Sequence, residues 1–283
     1  MLRRYYELAK PGIVYGNLLT AAAAFLYASR WRFAPLLFLA TLLGMALVIG
    51  SACVFNNYFD REIDAKMART KGRAFAAGTI TAGPALAYGA VLGLAGFALL
   101  YLEANALAAL VALAGWLLYV LVYTPAKHYT PYATLIGTLP GAVPAAAGYA
   151  AAAGALTLPG ALVFFAVLVW QMPHFYAIAL YRKEEYAAAG VPTMAAFLSG
   201  GRMRAAIVAY IVVFAWLASL LYLGDFAGIV YELIVLVLAL YWLFVAFRNR
   251  RLDDPAWGKR VFFASLIVLL GYALALSTAS VLP

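Results

Sequence analysis

An all-α fold that crosses a membrane nine times is the architecture this sequence predicts. Hydrophobic residues make up 67% of its 283 positions and charged ones 11%, and the mean hydropathy is +0.93. No soluble core of this length requires so much apolar surface. The second observation is periodic: apolar segments recur at about 12–29, 34–55, 84–102, 106–124, 132–153, 159–181, 204–223, 227–247 and 261–281. Each is about 18–23 residues, long enough as a helix to span about 30 Å of hydrocarbon. Gly, Pro and Ala dilute the 132–153 segment, which is the weakest of the nine.

The third observation is the placement of charge. With the N-terminus inside, one face receives Arg3, Arg4 and Lys10, the 61–73 group, Lys127, the 182–204 group and the 248–260 group. Of the 20 Lys and Arg, only Arg30 and Arg32 fall on the other face. That asymmetry is the positive-inside pattern, and an odd number of spans puts the C-terminus outside. The net charge of +9 therefore reads as topology and a site for an anion, and excludes nucleic acid as a partner, because the cations sit in short loops between spans.

Taken in order, the N-terminal arm carries two Arg and runs into a full-length first span without a small-residue cleavage site, so it reads as a retained helix. No Ser- and Arg-rich transit extension precedes it, which favours a bacterial plasma membrane. Cys53 is the only cysteine, so neither an intramolecular disulfide nor a CxxCH haem attachment exists. The largest inner loops follow the second segment (about 61–83) and the sixth (about 182–203), and each opens on charges. This arrangement points to two halves facing one cavity. The chain reads as a single membrane domain over 1–283.

Asn56, Asp60 and Asp64 carry the chemistry. In a chain with only 11 acidic residues, they stand four apart at the inner end of the second segment. On a helix they form one ridge, drifting about 40° per step. Three oxygen donors on a ridge can hold Mg²⁺, which takes carboxylates and shares its other positions with phosphate and water. Ionisable groups at membrane depth are costly and mark function. Arg69, Lys71 and Arg73 follow at once, with Gly72 and Gly78 between and after them. Arg supplies a planar fork for phosphate oxygens and Lys a point charge. Lys10, before Pro11, and Lys127, before His128, add cations on the same face, each equally readable as an interfacial anchor. Glu184 and Glu185 either pair with Arg182 and Lys183 or complete the metal shell from the opposite half.

The run Asn56-Asn57-x-x-Asp60-Arg61-x-x-Asp64-x-x-Met67-x-Arg69-Thr70-x-x-Arg73 resembles the first Asp-rich motif of the UbiA-type intramembrane prenyltransferases. Within that superfamily, Trp170-Gln171-Met172-Pro173-His174-Phe175 resembles the branch that farnesylates protohaem IX. Lys10-Pro11-Gly12-Ile13 with Asn17, and the block at 123–137, fit the same branch, and the likeness spans essentially the whole chain. Three positions depart from the branch pattern: Ala74-Phe75 stand for Pro-Leu, His128 for Arg, and Glu185 for Asp.

The resemblance implies Mg²⁺-dependent farnesyl transfer from farnesyl diphosphate to a vinyl group of haem B with addition of water, giving haem O. By the same resemblance Asp60, Asp64 and His174 are catalytic. Lys10, Arg69, Lys71, Arg73 and Lys127 bind the diphosphate, and Asn56, Asp60, Asp64, Glu184 and Glu185 hold the metal. His174, Gln171 and Tyr181 face the haem, with His174 at the iron, at a propionate or on a water. A haem A synthase or a terminal oxidase is the implied recipient of the product. Two rivals are an enzyme of the same superfamily that prenylates an aromatic or quinone-precursor acceptor, and a transporter. A second motif richer in Asp marks the first. Broken helices with polar groups at mid-depth mark the second, whereas the acids here cluster at inner ends.

Overall fold

The computed structural model describes residues 2–30 and 32–279. Among them, nine helices are long and apolar enough to cross a membrane. In chain order they are α1 (Pro11–Ser29), α2 (Pro35–Phe59), α3 (Ala82–Ala104), α4 (Ala106–Ala126), α5 (Ala133–Ala153), α6 (Leu158–Tyr181), α7 (Gly200–Leu223), α8 (Ile229–Arg248) and α9 (Asp254–Ala279). Every expected segment is one of these helices. Residues 280–281, the end of the last expected segment, lie outside the described residues.

Boundaries follow local chemistry. Pro11, Pro35 and Pro159 sit in first turns, where the missing N–H costs nothing. Asn105 caps α4 by accepting from the Ala108 N–H, and Ser199 caps α7 by accepting from the Arg202 N–H. The C-terminal parts of α3 (Leu100–Ala104) and α4 (Leu118–Tyr123) widen into π-helical turns, a form that recurs at functional sites. Helix α9 begins seven residues earlier than expected, because Asp254 and Trp257 extend its N-terminal end beyond the apolar stretch.

Helix α5, the weakest segment by hydropathy, is the most enclosed of the nine. Its small residues explain both properties. A Cβ on Gly148 would lie 2.2 Å from the Ala21 carbonyl oxygen of α1, and one on Gly137 2.6 Å from the Tyr123 ring of α4. A helix packed mostly against protein needs close approach more than bulky apolar side chains. The lipid-facing helices show the converse, with Leu36, Leu94, Leu102 and Val237 exposed.

Helices α1 and α5 pack on each other and join a group α2–α4 to a group α6–α9. The second group has the larger core, centred on Trp242, Trp257, Phe214 and Tyr272. There the Trp242 and Trp257 indoles donate to the Val261 and Ala246 carbonyls. Buried indole N–H groups so paired add direction to apolar packing.

Candidate active site

The ridge forms, with one interruption. Helix α2 ends at Phe59, Asp60 is a turn residue, and a six-residue helix (Arg61–Lys66) follows. Two i→i+4 hydrogen bonds bridge the break, Asp60 N–H to Asn56 C=O at 2.9 Å and Asp64 N–H to Asp60 C=O at 2.8 Å. The four-residue spacing therefore holds, and Asn56, Asp60 and Asp64 are all buried.

Each of the three faces a cation from elsewhere in the chain. The Lys10 ammonium donates to Asn56 Oδ1, and the Asn56 amide donates to Thr124 Oγ1 at 2.9 Å, which fixes the amide's orientation. Lys127 donates to Asp60 Oδ2. Arg73 Nη1 donates to Asp64 Oδ2 at 2.7 Å. Asp60 Oδ1 is buried without a hydrogen bond, since His128 Nε2 at 3.4 Å lies within ion-pair range but out of line. Lys10 sits at φ +50°, ψ +65°, immediately before Pro11. A left-handed conformation is costly for a lysine, and here it brings the ammonium to the ridge.

Burial sets the protonation of these cations, with their crowding adding to it. Burial pushes the Lys10 ammonium down to about 8, with repulsion from Arg73 and Lys127 adding to it and Asp60 opposing. Burial likewise lowers Lys127, against the attraction of Asp60. At Glu185 burial acts upward, but hydrogen bonds and charge from Arg182 and Arg69 outweigh it and hold the carboxyl below its usual range.

The other expected residues divide. Glu185 joins the loops that follow α2 and α6: it pairs with Arg182 Nη1 at 2.8 Å and accepts from the Arg69 N–H at 3.4 Å. Glu184 and Lys71 are exposed, and their side chains make no hydrogen bond or ion pair here. Neither glutamate is gathered with Asp60 and Asp64, and no three His, Cys, Asp or Glu side chains converge among the described residues. Of the expected donors, Asn56, Asp60 and Asp64 are those the fold gathers in one place here. This set still suits Mg²⁺, which is commonly held by one or two carboxylates plus substrate phosphate and water. The unpartnered Asp60 Oδ1 is a carboxylate oxygen of the kind such a site needs.

Beside this cluster lies a cavity of about 510 Å³. Gly12 and Gly16 of α1, Cys53 of α2, Tyr119 and Tyr123 of α4, and Gly141 of α5 contribute to its wall. Lys127 belongs both to that wall and to the ion pair with Asp60, so it links the polar cluster to the apolar chamber. His174 lines the wall from α6, with its ring stacked on Trp170 at 4.8 Å. Gln171 lines it too, though its amide N–H groups are taken by the Thr138 and Val167 carbonyls at 3.0 and 3.2 Å. Tyr181 stands apart from the cavity wall and instead packs its ring under Arg182 (4.9 Å) and Lys259 (5.6 Å).

Three further residues hold the site in place; Asn57 belongs to the Asp-rich run, whereas Thr124 and Ser265 carried little signal in the sequence. Thr124 holds Asn56 and bonds back to the Tyr119 carbonyl at 2.8 Å, five residues earlier, across the π-helical turn. Asn57 donates to the Leu8 carbonyl at 2.8 Å and ties the N-terminal arm to α2. Ser265, in mid-α9, holds His174 Nδ1 at 2.7 Å. A lone hydroxyl in an apolar span was the available clue to Ser265.

A nine-helix fold with a buried Asn/Asp ridge, a surrounding set of cations and an adjoining apolar cavity has the parts needed to hold a charged head and an apolar tail. Residues 17–267 match the UbiA prenyltransferase family, and the chain belongs to it. A protoheme IX farnesyltransferase of Chromohalobacter salexigens is 42% identical over 98% of this chain and 95% of its own length. Protoheme IX farnesyltransferase 2 of Chromobacterium violaceum is 42% identical over 94% and 89%. Among solved structures, digeranylgeranylglyceryl phosphate synthase superposes with a TM-score of 0.81 at 19% identity, covering 99% of this chain and 98% of that one. A UbiA homologue from Archaeoglobus fulgidus bound to GPP and Mg²⁺ gives 0.73 at 17% identity, covering 97% and 99%. These two structures share the fold.

Proposed function

We propose that this chain transfers the farnesyl group of farnesyl diphosphate to a vinyl group of haem B, with addition of water, giving haem O. The observation that carries the reading is the double membership of Lys127. It joins the carboxylate ridge to a cavity whose wall holds His174. The full-length likeness to protoheme IX farnesyltransferases supplies the substrates.

Asp60 and Asp64 face Lys127 and Arg73, and Lys10 meets Asn56. Three cations against two carboxylates leave one net positive charge in the cluster. That is a receptive state for a diphosphate, which draws Lys10, Lys127 and Arg73 onto its oxygens and frees the two carboxylates. Mg²⁺, held by Asn56, Asp60 and Asp64 together with diphosphate oxygens, would neutralise the charge that builds on the leaving group. The farnesyl C1–O bond breaks with its electron pair going to the diphosphate, while Arg73 and Lys127 stabilise that charge. Arg69 reaches the same loop through Glu185. The apolar wall keeps water from the allylic cation. The haem vinyl π-pair then forms the new C–C bond, and a water molecule adds to the resulting haem-side cation and loses a proton.

The bacterial relatives support placement in a bacterial inner membrane. The charge asymmetry supports a cytoplasmic N-terminus, an external C-terminus and a site open to the cytoplasmic side. Native mass spectrometry of the purified protein with Mg²⁺ tests the substrate pairing. One haem and one farnesyl diphosphate should bind together. Displacement of haem by farnesyl diphosphate would mean that they compete for one place, and would reject the two-substrate site.

A further inference from the structure

The surroundings of His174 determine which of its ring nitrogens carries the proton. Ser265, on α9, is fully buried, and its Oγ lies 2.7 Å from His174 Nδ1 and 2.5 Å from the Phe262 carbonyl oxygen. A carbonyl oxygen has no proton to give, and two oxygens approach to 2.5 Å only with a proton between them. The single hydroxyl proton of Ser265 therefore goes to Phe262. What remains toward His174 is a lone pair, so Nδ1 must be the donor. Ser265 is itself held, because the Trp170 indole N–H donates to its carbonyl at 3.1 Å. The same Trp170 ring lies against the imidazole face at an interplanar angle of 25°.

A neutral imidazole protonated on Nδ1 has an unprotonated Nε2. His174 Nε2 has no hydrogen bond here, and the buried side-chain N and O atoms left without a partner among the described residues are Asn57 Oδ1, Asp60 Oδ1, Glu232 Oε2 and Tyr272 OH. Nε2 is therefore accessible, and the cavity is the space that His174 lines.

The geometry points to Ser265 as a positioning residue that holds His174 as the Nδ1–H tautomer and turns the Nε2 lone pair into the cavity as a ligand for the iron of haem. This rests on the haem reading above for the identity of the ligand, whereas the tautomer stands on the protein alone. It also chooses among the roles open to His174. A lone pair cannot donate to a propionate, but it can bind iron, for which imidazole is a common axial ligand. A hydrogen bond to the second ring nitrogen fixes tautomer and ring direction in metal-binding histidines, and its loss typically costs roughly 10–100-fold in metal affinity.

The chain has two histidines, so selective ¹⁵N-histidine labelling yields two side chains, and the His174→Ala variant assigns them. In the haem-free protein, two-bond ¹H–¹⁵N correlation should show Nδ1 of His174 protonated and Nε2 bare. Ser265→Ala should mix the tautomers and weaken haem binding roughly 10–100-fold, with farnesyl diphosphate affinity unchanged. Ser265→Thr, whose hydroxyl can make the same bond back to a carbonyl, should restore both. A wild-type His174 protonated on Nε2, or a tautomer indifferent to Ser265→Ala, would overturn the proposal. A bound haem lacking the spectrum of histidine ligation would overturn the iron assignment. Failure of the haem-farnesylation reading shows separately, as haem whose mass is unchanged by turnover.

Discussion

Asp60 and Asp64 are each paired with a basic side chain in the ligand-free arrangement, Lys127 and Arg73 respectively, and this makes two opposite demands on them. They must hold the cations in place before substrate arrives, then release them to the diphosphate and take up a metal. An amide satisfies neither demand fully, because it has no charge for the cation or the metal. Asp64→Asn or Asp60→Asn should therefore leave a folded protein whose turnover is lost. A barrier raised by about 4 kcal/mol slows reaction roughly a thousandfold. Near-normal turnover across a Mg²⁺ titration in either variant would remove the ridge from the metal site. Thr124 has a subtler task, since its hydroxyl accepts from the Asn56 amide. Thr124→Val keeps the shape and leaves that amide without its partner, at a cost of about 1–3 kcal/mol for a buried unsatisfied donor. Its Michaelis constant for farnesyl diphosphate should rise, with Thr124→Ser close to wild type. Equal constants in all three proteins would contradict the assigned role.

Helices were legible because a membrane makes the rule simple: each backbone polar group must be satisfied within its own segment, so a long apolar run is a helix. Helix α5 shows the limit of that rule. Its hydropathy is low because most of its surface meets protein, and Gly148 lets α1 approach until a Cβ would sit 2.2 Å from the Ala21 carbonyl. That neighbour is backbone and cannot step aside. Gly148→Ala should destabilise the protein by about 1–3 kcal/mol or more through overpacking, seen as a lower unfolding midpoint in detergent. An unchanged midpoint would mean that the α1–α5 contact is looser than described. The ridge was legible for a similar reason, since four-residue spacing survives the break at Asp60 through two i→i+4 hydrogen bonds. Partners supplied by other helices were not. Thr124, Arg69 and Ser265 act across long chain separations, and nothing local marks which hydroxyl or guanidinium a distant segment will meet. The glutamates illustrate this: the sequence left them either paired with Arg182 and Lys183 or at the metal, and Glu185 meets Arg182 locally and Arg69 from the other loop, while Glu184 is exposed.

At the scale of the whole molecule, an N-terminal group and a C-terminal group of helices meet along α1 and α5, and the loops that follow α2 and α6 touch through Arg69 and Glu185. A shared cavity requires those loops to lie on one side of the membrane. Cysteines introduced at Lys71 and Glu184, both exposed, should react with an impermeant reagent from the cytoplasmic side, and one at Arg32 from the other. The native Cys53 is buried and should contribute little background. Labelling of positions 71 and 184 from opposite sides would exclude a common chamber. The most direct test of the central claim is the mass of the haem after turnover. Purified protein in lipid nanodiscs, given haem B, farnesyl diphosphate and Mg²⁺, should return haem heavier by one farnesyl and one hydroxyl group and release one diphosphate per haem converted, and Asp64→Asn should return haem B unchanged. Haem B recovered intact from the wild-type protein, with the farnesyl group found on an aromatic or quinone-precursor acceptor offered beside it, would contradict the account.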